Sequence, residues 1–236
     1  MRKLHVAYND CLRILLRIPR YLSATQMFTD LNLQGPKAVL RNYMFKFMNR
    51  ILEVNAEEGW VRVQPGVVRD ELNVFLKEHG LFFGPNTSTS NRCMIGGMVG
   101  NNSSGTTSIR YGVTRDKVVS MRVLLSDGSE AEIGAMTPSE LKEKSKGSTL
   151  VSNVYKRLLK ELSDNKIKDS IRKHFPRPEI HRRNTGYAVD ALLESNAFTP
   201  GGKPFNLAQL LCGSEGTLAL TTEITLQLDP LPPGEA

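Results

Sequence analysis

The chain is short of the residues that usually advertise chemistry. Its 236 residues hold three cysteines, four histidines and one tryptophan, and only 7% are aromatic. Cys11, Cys93 and Cys212 stand far apart, with no CxxC pair and no histidine at metal-ligand spacing. That argues against a disulfide framework and a zinc site, and for a reducing, cytoplasmic setting. No apolar run approaches the roughly 20 residues of a membrane span. The basic start MRKLHVAYND has charges where a secretory signal needs an unbroken apolar centre. GxSxG and the P-loop are missing. The glycines of GGMVGNNSSG miss the GxGxxG intervals and no ribose-binding acid follows, so a nicotinamide site of the Rossmann type is disfavoured.

Charge is lopsided. The net +7 comes from the first fifth of the chain. Residues 1–50 carry nine basic and two acidic side chains, and the remaining 186 hold 22 of each sign (31 less nine, 24 less two). Such a step suggests a basic arm or a segment of separate origin. A helical segment with solvated arginines is favoured there over nucleic-acid binding.

Residues 3–18 place Leu4, Ala7, Cys11, Leu12 and Leu15 at helical spacing, and a second helix is expected over 37–49. From Ile51 the pattern changes. ILEVN and WVRVQPG alternate as two strands joined by Glu57-Glu58-Gly59. Asp70, Leu72, Phe75 and Leu76 belong to a helix closed by Gly80. VVSMRVLLSDGSEAEIG reads as a hairpin turning at Asp127-Gly128. Residues 137–174 are helical and lysine-rich, with Thr137 as N-cap before Pro138. LAQLLCGSEGTLALTTEITLQL gives an apolar segment, a turn and a strand. DPLPPGEA is a poor strand. Strands and helices mix without a βαβ rhythm, so the fold class is α+β.

Between Phe82 and Gly112 lie some thirty residues dominated by Gly, Ser, Thr and Asn, favouring neither helix nor sheet. A loop this long in a compact domain is more often functional than idle. Glycines let a backbone approach a ligand closely, and successive N–H groups form anion-binding nests. With the second small-residue loop at 212–217, the stretch suits a long polar ligand carrying phosphates and a planar head.

VQPGV, GPNTSTS, CMIGGMVGNNSSG, IRYG and LLSDG, followed by RRNTGYAVDALL and CGSEGTLALTTEITLQL, resemble in that order the FAD-binding domain (PCMH-type) of FAD-linked oxidases of the vanillyl-alcohol oxidase type. The branch they most resemble contains D-lactate, glycolate and D-2-hydroxyglutarate dehydrogenases. The resemblance covers about 51–232. It implies a flavoprotein oxidoreductase holding FAD between two subdomains, a small 2-hydroxy acid as substrate, oxidation to a 2-oxo acid, and an electron acceptor left unspecified. By matching position, Pro85, Thr87 and Ser88 approach the flavin end. Gly96, Gly97, Asn101, Asn102, Ser104 and Gly105 line the cofactor, and Tyr111 and Gly112 close that loop. Glu215 and Gly216 sit in the later loop, with Leu220 or Ile224 beyond it near the adenine side. No histidine matches a flavin-linking position, so the FAD is expected to be non-covalent.

The chain departs from that family in three ways. The family's glycine-rich pyrophosphate loop, roughly GGGTSL, is missing upstream of ILEVN. The substrate cap that follows the GSEGTL strand is not reached before Ala236, so catalytic residues are not assigned. GTLAL replaces the frequent GTLGI, putting the methyl group of Ala219 where a glycine is usual. The segment VAYNDCLRILLRIPRYLSATQMF with LRNYMFKFMNR resembles instead the C-terminal tail of LINE-type retrotransposon polyproteins. The expected layout is a basic helical segment at 1–50, a partial FAD-binding domain at 51–232 and a tail at 233–236. Two other readings stay open: an inactive remnant that binds no FAD, and a nucleic-acid-associated protein acting through residues 1–50.

Overall fold

Alternation builds a sheet with one dry face. In WVRV, Val61 and Val63 are fully buried while Arg62 is only half-buried. The same period buries Met121 and Val123, Ile133, and Ile224 and Leu226 in three further strands. The computed structural model describes residues 50–177, 179–180 and 186–232. The expected N-terminal helix pair, the retrotransposon-like segment up to Asn49, residues 182–185 and the tail lie outside the described residues.

From Arg50 the elements are β1 (Ile51–Asn55), β2 (Trp60–Val63), α1 (Arg69–Lys77), β3 (Leu81–Phe82), α2 (Ile95–Asn101), α3 (Ser108–Tyr111), α4 (Thr114–Lys117), β4 (Val118–Leu124), β5 (Glu130–Met136), α5 (Pro138–Lys144), α6 (Leu150–Ser163), α7 (Asn165–His174), α8 (Val189–Leu193), β6 (Phe205–Asn206), α9 (Ala208–Leu211), β7 (Leu220–Gln227) and β8 (Asp229–Pro230). Six strands form one sheet in the order β1-β2-β7-β4-β5-β6, every neighbouring pair antiparallel. This is the mixed α/β fold expected of an FAD-binding domain of the oxidase family.

The dry face shares one apolar cluster with Leu72 and Leu76 of α1, Ile95, Met98 and Val99 of α2, Tyr155 and Leu162 of α6, and Leu192 and Leu193 of α8. Phe205 of β6 meets Tyr155 edge-on at 6.3 Å. The other face is polar. Arg62 pairs with Glu53, and Arg122 with Glu223 at 3.4 Å.

Local chemistry explains the helix starts. Thr137 and Glu140 form a capping box before α5, with Pro138 at its first position. Asp164 accepts from Lys166 N at 2.8 Å and starts α7. The hairpin turns at Asp127-Gly128, where Asp127 accepts from Ser129 N at 3.0 Å. The helix from Asp70 stops at Lys77, and Gly80 (φ 69°) ends the turn that follows.

Two expectations need correcting. The stretch 82–112 is not without helix, since α2 and α3 lie inside it. α2 forms despite three glycines because Ile95, Met98 and Val99 are buried on one side of it. Tertiary packing outweighs propensity here. Nor is the end DPLPP without a strand: after β7 the chain leaves the six-stranded sheet and forms a separate two-stranded sheet, β3-β8. Phe82 pairs with Asp229 and Leu81 with Pro230, and Leu231 N donates to Gly80 O at 3.0 Å. Proline is tolerated in so short an edge pairing.

Candidate functional site

The small residues of the long stretch first serve the protein itself. Thr107 Oγ1 donates to Gly84 O at 2.9 Å and to Asn86 Oδ1 at 2.8 Å, and Thr107 N donates to Asn86 Oδ1 at 3.3 Å. The segment after β3 is thereby sewn to the one before α3. Gly105 lies flat on Asn86, where a β-carbon would overlap the Asn86 backbone. Gly96 lies on Pro65: its N–H donates to Pro65 O at 2.8 Å, and a β-carbon would come within 2.5 Å of the proline ring. Pro85 is buried, and Arg69 reaches its carbonyl at 3.2 Å and that of Phe83 at 3.1 Å. Thr87 Oγ1 contacts Cys93 Sγ at 3.3 Å, and Ser88 is exposed. Tyr111 stands edge-on to Phe82 at 5.0 Å, and Gly112 (φ 75°) turns the chain toward α4.

The two small-residue loops, more than a hundred residues apart, meet at the end of α2. Gly213 N donates to Val99 O at 2.8 Å and Glu215 N to Gly100 O at 2.9 Å. Asn102, in left-handed backbone with φ 53°, closes the helix and is 1% exposed. Its Oδ1 accepts the amide of Arg115 at 2.9 Å. The Arg115 guanidinium is also buried, donating to Gln209 O at 2.9 Å and Cys212 O at 2.6 Å. Burial pushes the Cys212 thiol up to about 12 despite the opposing pull of Arg115. It is no nucleophile at neutral pH.

An open edge remains where the loops meet. Gly97, Asn101, Glu215, Gly216 and Thr217 are exposed, and a β-carbon on Gly97 or Gly216 would touch nothing within 4 Å. Ser104 Oγ is buried with no hydrogen-bond partner. Tyr187 OH lies 2.9 Å from Thr217 Oγ1. Leu220 is 62% exposed at the start of β7, whereas Ile224 is fully buried in the core. Ala219 packs its methyl group against that core.

Most of the proposed cofactor residues therefore fall into two groups. Asn102, Gly96, Gly105, Pro85 and Ile224 are committed to internal packing. Gly97, Asn101, Ser88, Glu215, Gly216 and Leu220 face outward, with Ser104 offering an unused hydroxyl. Arg115, Asn86, Thr107 and Tyr187 were not singled out from sequence. Arg115 sits in TRDK, which reads as ordinary surface charge. A polar depression lies elsewhere among the described residues, on the open sheet face between Arg62, Arg122, Glu132 and Glu223. Two of its cations already pair with carboxylates, so it is weaker as a site than the loop edge. Among the described residues no group of His, Cys, Asp and Glu could hold a metal, and no helix is long and apolar enough to cross a membrane.

The open small-residue edge fits one wall of an extended dinucleotide, and the buried Ser104 hydroxyl is left without a partner. The sequence model of the FAD binding domain matches residues 35–134. The match starts upstream of Ile51, inside the segment read as separate, and ends after the first loop. D-2-hydroxyglutarate dehydrogenase of Pantoea ananatis (strain AJ13355) is 38% identical over 189 residues, 80% of this chain and 18% of that protein. The enzyme of that name from Escherichia coli (strain K12) is 39% identical over 192 residues, with the same shares. The chain thus spans less than a fifth of the length of these relatives. The solved structure of an alkyldihydroxyacetonephosphate synthase overlaps 79% of this chain and 22% of its own, at 20% identity and a TM-score of 0.46. Residues 35–134 match the FAD binding domain, and the described residues have the mixed α/β fold of such a domain, whose cofactor is FAD.

Proposed function

We propose that this chain supplies one wall of a non-covalent FAD site, and that the site oxidises a D-2-hydroxy acid to the 2-oxo acid. The observation that carries this is the junction of the two loops, through Gly213 N to Val99 O and Glu215 N to Gly100 O, which leaves an open small-residue edge. The substrate class comes from relatives named as D-2-hydroxyglutarate dehydrogenases. FAD would accept the hydride from the carbon bearing the hydroxyl, and the protein would orient and shield. Backbone at Gly97 and Gly216 allows close approach. Ser104 offers a hydroxyl, and Leu220 an apolar surface. The non-covalent attachment rests on the sequence alone, in which no histidine matches a flavin-linking position.

Lack of the GGGTSL-like loop weakens this wall. Each charge-assisted hydrogen bond to the pyrophosphate is worth roughly 1.5–3 kcal/mol. Two fewer mean about 100-fold weaker binding or more. The test is a titration of the purified chain with FAD, read by quenching of flavin fluorescence. Saturable binding supports the proposal. A colourless protein that takes up no added FAD supports the remnant reading instead. Steeply salt-dependent RNA or DNA binding, lost on deleting residues 1–50, would support the nucleic-acid reading. The separate origin of residues 1–50 is likewise proposed, on the charge step and the tail-like sequence, and a transcript read across Arg50-Ile51 tests it.

A further inference from the structure

We infer that Arg115 is the positioning residue that locks the 212–217 loop onto α2 and so sets the shape of the edge assigned above to FAD; the assignment to FAD rests on that reading, the locking does not. Arg115 is 8% exposed, and its guanidinium donates to two carbonyls, Gln209 O at 2.9 Å and Cys212 O at 2.6 Å. Both acceptors lie at the end of the four-residue helix α9, whose last carbonyls have no partner within so short a helix. A planar fork with several fixed donors can serve two diverging carbonyls at once, and the single ammonium of a lysine cannot hold both in the same geometry.

The same residue grips the other loop. Its amide donates to Asn102 Oδ1 at 2.9 Å, and Asn102 closes α2. Gln209 Nε2 returns a bond to Arg115 O at 3.4 Å. Gly213 completes the seat. With φ 95° it occupies backbone space that side chains rarely adopt, and a β-carbon there would lie 2.7 Å from the Arg115 guanidinium nitrogen. The arginine thus fills the space that Gly213 leaves open. From that position Gly213 N and Glu215 N reach the carbonyls of Val99 and Gly100. Arg115 acts on the edge through these bonds, by holding Gly213 and Glu215 against Val99 and Gly100 of α2.

The experiment compares the full chain with Arg115→Lys, Arg115→Met, Gly213→Ala and Arg115→Met/Gly213→Ala. Amide hydrogen exchange is read at residues 212–217 and, as an internal control, at Ile224 and Leu226 of β7. FAD affinity is read on the same samples. Arg115→Lys should speed exchange at Gly213 and Glu215 by about tenfold or more, the equivalent of one lost charge-assisted bond, with β7 unchanged. FAD affinity should fall by a similar factor. In Gly213→Ala the guanidinium stays but its seat is crowded, and the same loop should loosen. In the double variant the two effects should be less than additive, because both changes break one contact. Unchanged loop exchange in a folded Arg115→Lys or Gly213→Ala protein would overturn the inference, as would strict additivity. Should the parent chain bind no FAD, the proposed function fails, and the exchange data still decide the role of Arg115.

Discussion

Gly96 and Gly97 are adjacent and identical, and the structure gives them opposite tasks. Gly96 is pressed against Pro65, so Gly96→Ala must displace the proline ring or the helix and should cost about 1–3 kcal/mol. Gly97 faces open space within α2, so Gly97→Ala should stabilise by up to about 1 kcal/mol through helix propensity alone. Urea unfolding of the two variants separates these outcomes, and equal effects would contradict the placement. Tyr155 is a second single-residue test. Its hydroxyl is buried without a partner, and burial pushes its ionisation up to about 12. Tyr155→Phe removes an unsatisfied polar group and should leave stability unchanged or raise it by about 1 kcal/mol at neutral pH. A large loss would mean that the hydroxyl has a partner.

Among the elements, the clamp of β3 on β8 was the least expected. DPLPP reads as a strand-breaking end, and no local pattern shows that Asp229 meets Lys117 at 2.6 Å across 112 residues. Both side chains are largely buried, so Asp229→Ala strands a cation and should cost about 3 kcal/mol, while Asp229→Ala with Lys117→Met should cost less than the two single losses together. Thermal or urea unfolding of the cycle checks it, and additive losses would show that the pair is not coupled. What was legible in the sequence was what local rules control. Alternation in WVRV and TLQL found β2 and β7, Thr137-Pro138 found the start of α5, and Asp127-Gly128 found the hairpin. α2 was illegible because its three glycines hide a buried face of Ile95, Met98 and Val99. The candidate site was half legible for a related reason. Small residues signal close approach, but sequence does not say whether the close neighbour is a ligand, as proposed at Gly97, or Asn86 and Pro65, as found at Gly105 and Gly96.

At the scale of the whole molecule, stability should fall in alkali. Cys212 ionises near 9.0 when unfolded and near about 12 when folded, and Tyr155 near 10.0 and about 12. Between those values only the unfolded chain releases the proton. Both raised values therefore contribute stability in full below pH 9, and that contribution is lost as pH rises toward about 12, at roughly 1.4 kcal/mol per pH unit for each group once past its unfolded value. Urea midpoints measured from pH 8 to 11 should decline, and less steeply in Tyr155→Phe. A flat profile would mean that these groups are not buried as described. The chain covers less than a fifth of its dehydrogenase relatives, so what it does alone turns on whether one wall of the site still holds its cofactor. The most direct test is FAD titration of the purified chain beside Gly97→Val, a change whose β-carbon meets nothing within 4 Å and which should leave the fold intact. Saturable binding by the parent chain, lost in a Gly97→Val protein with an unaltered unfolding midpoint, is the expected result. Equal binding by both proteins, or none by the parent, would contradict the assignment of this edge to FAD.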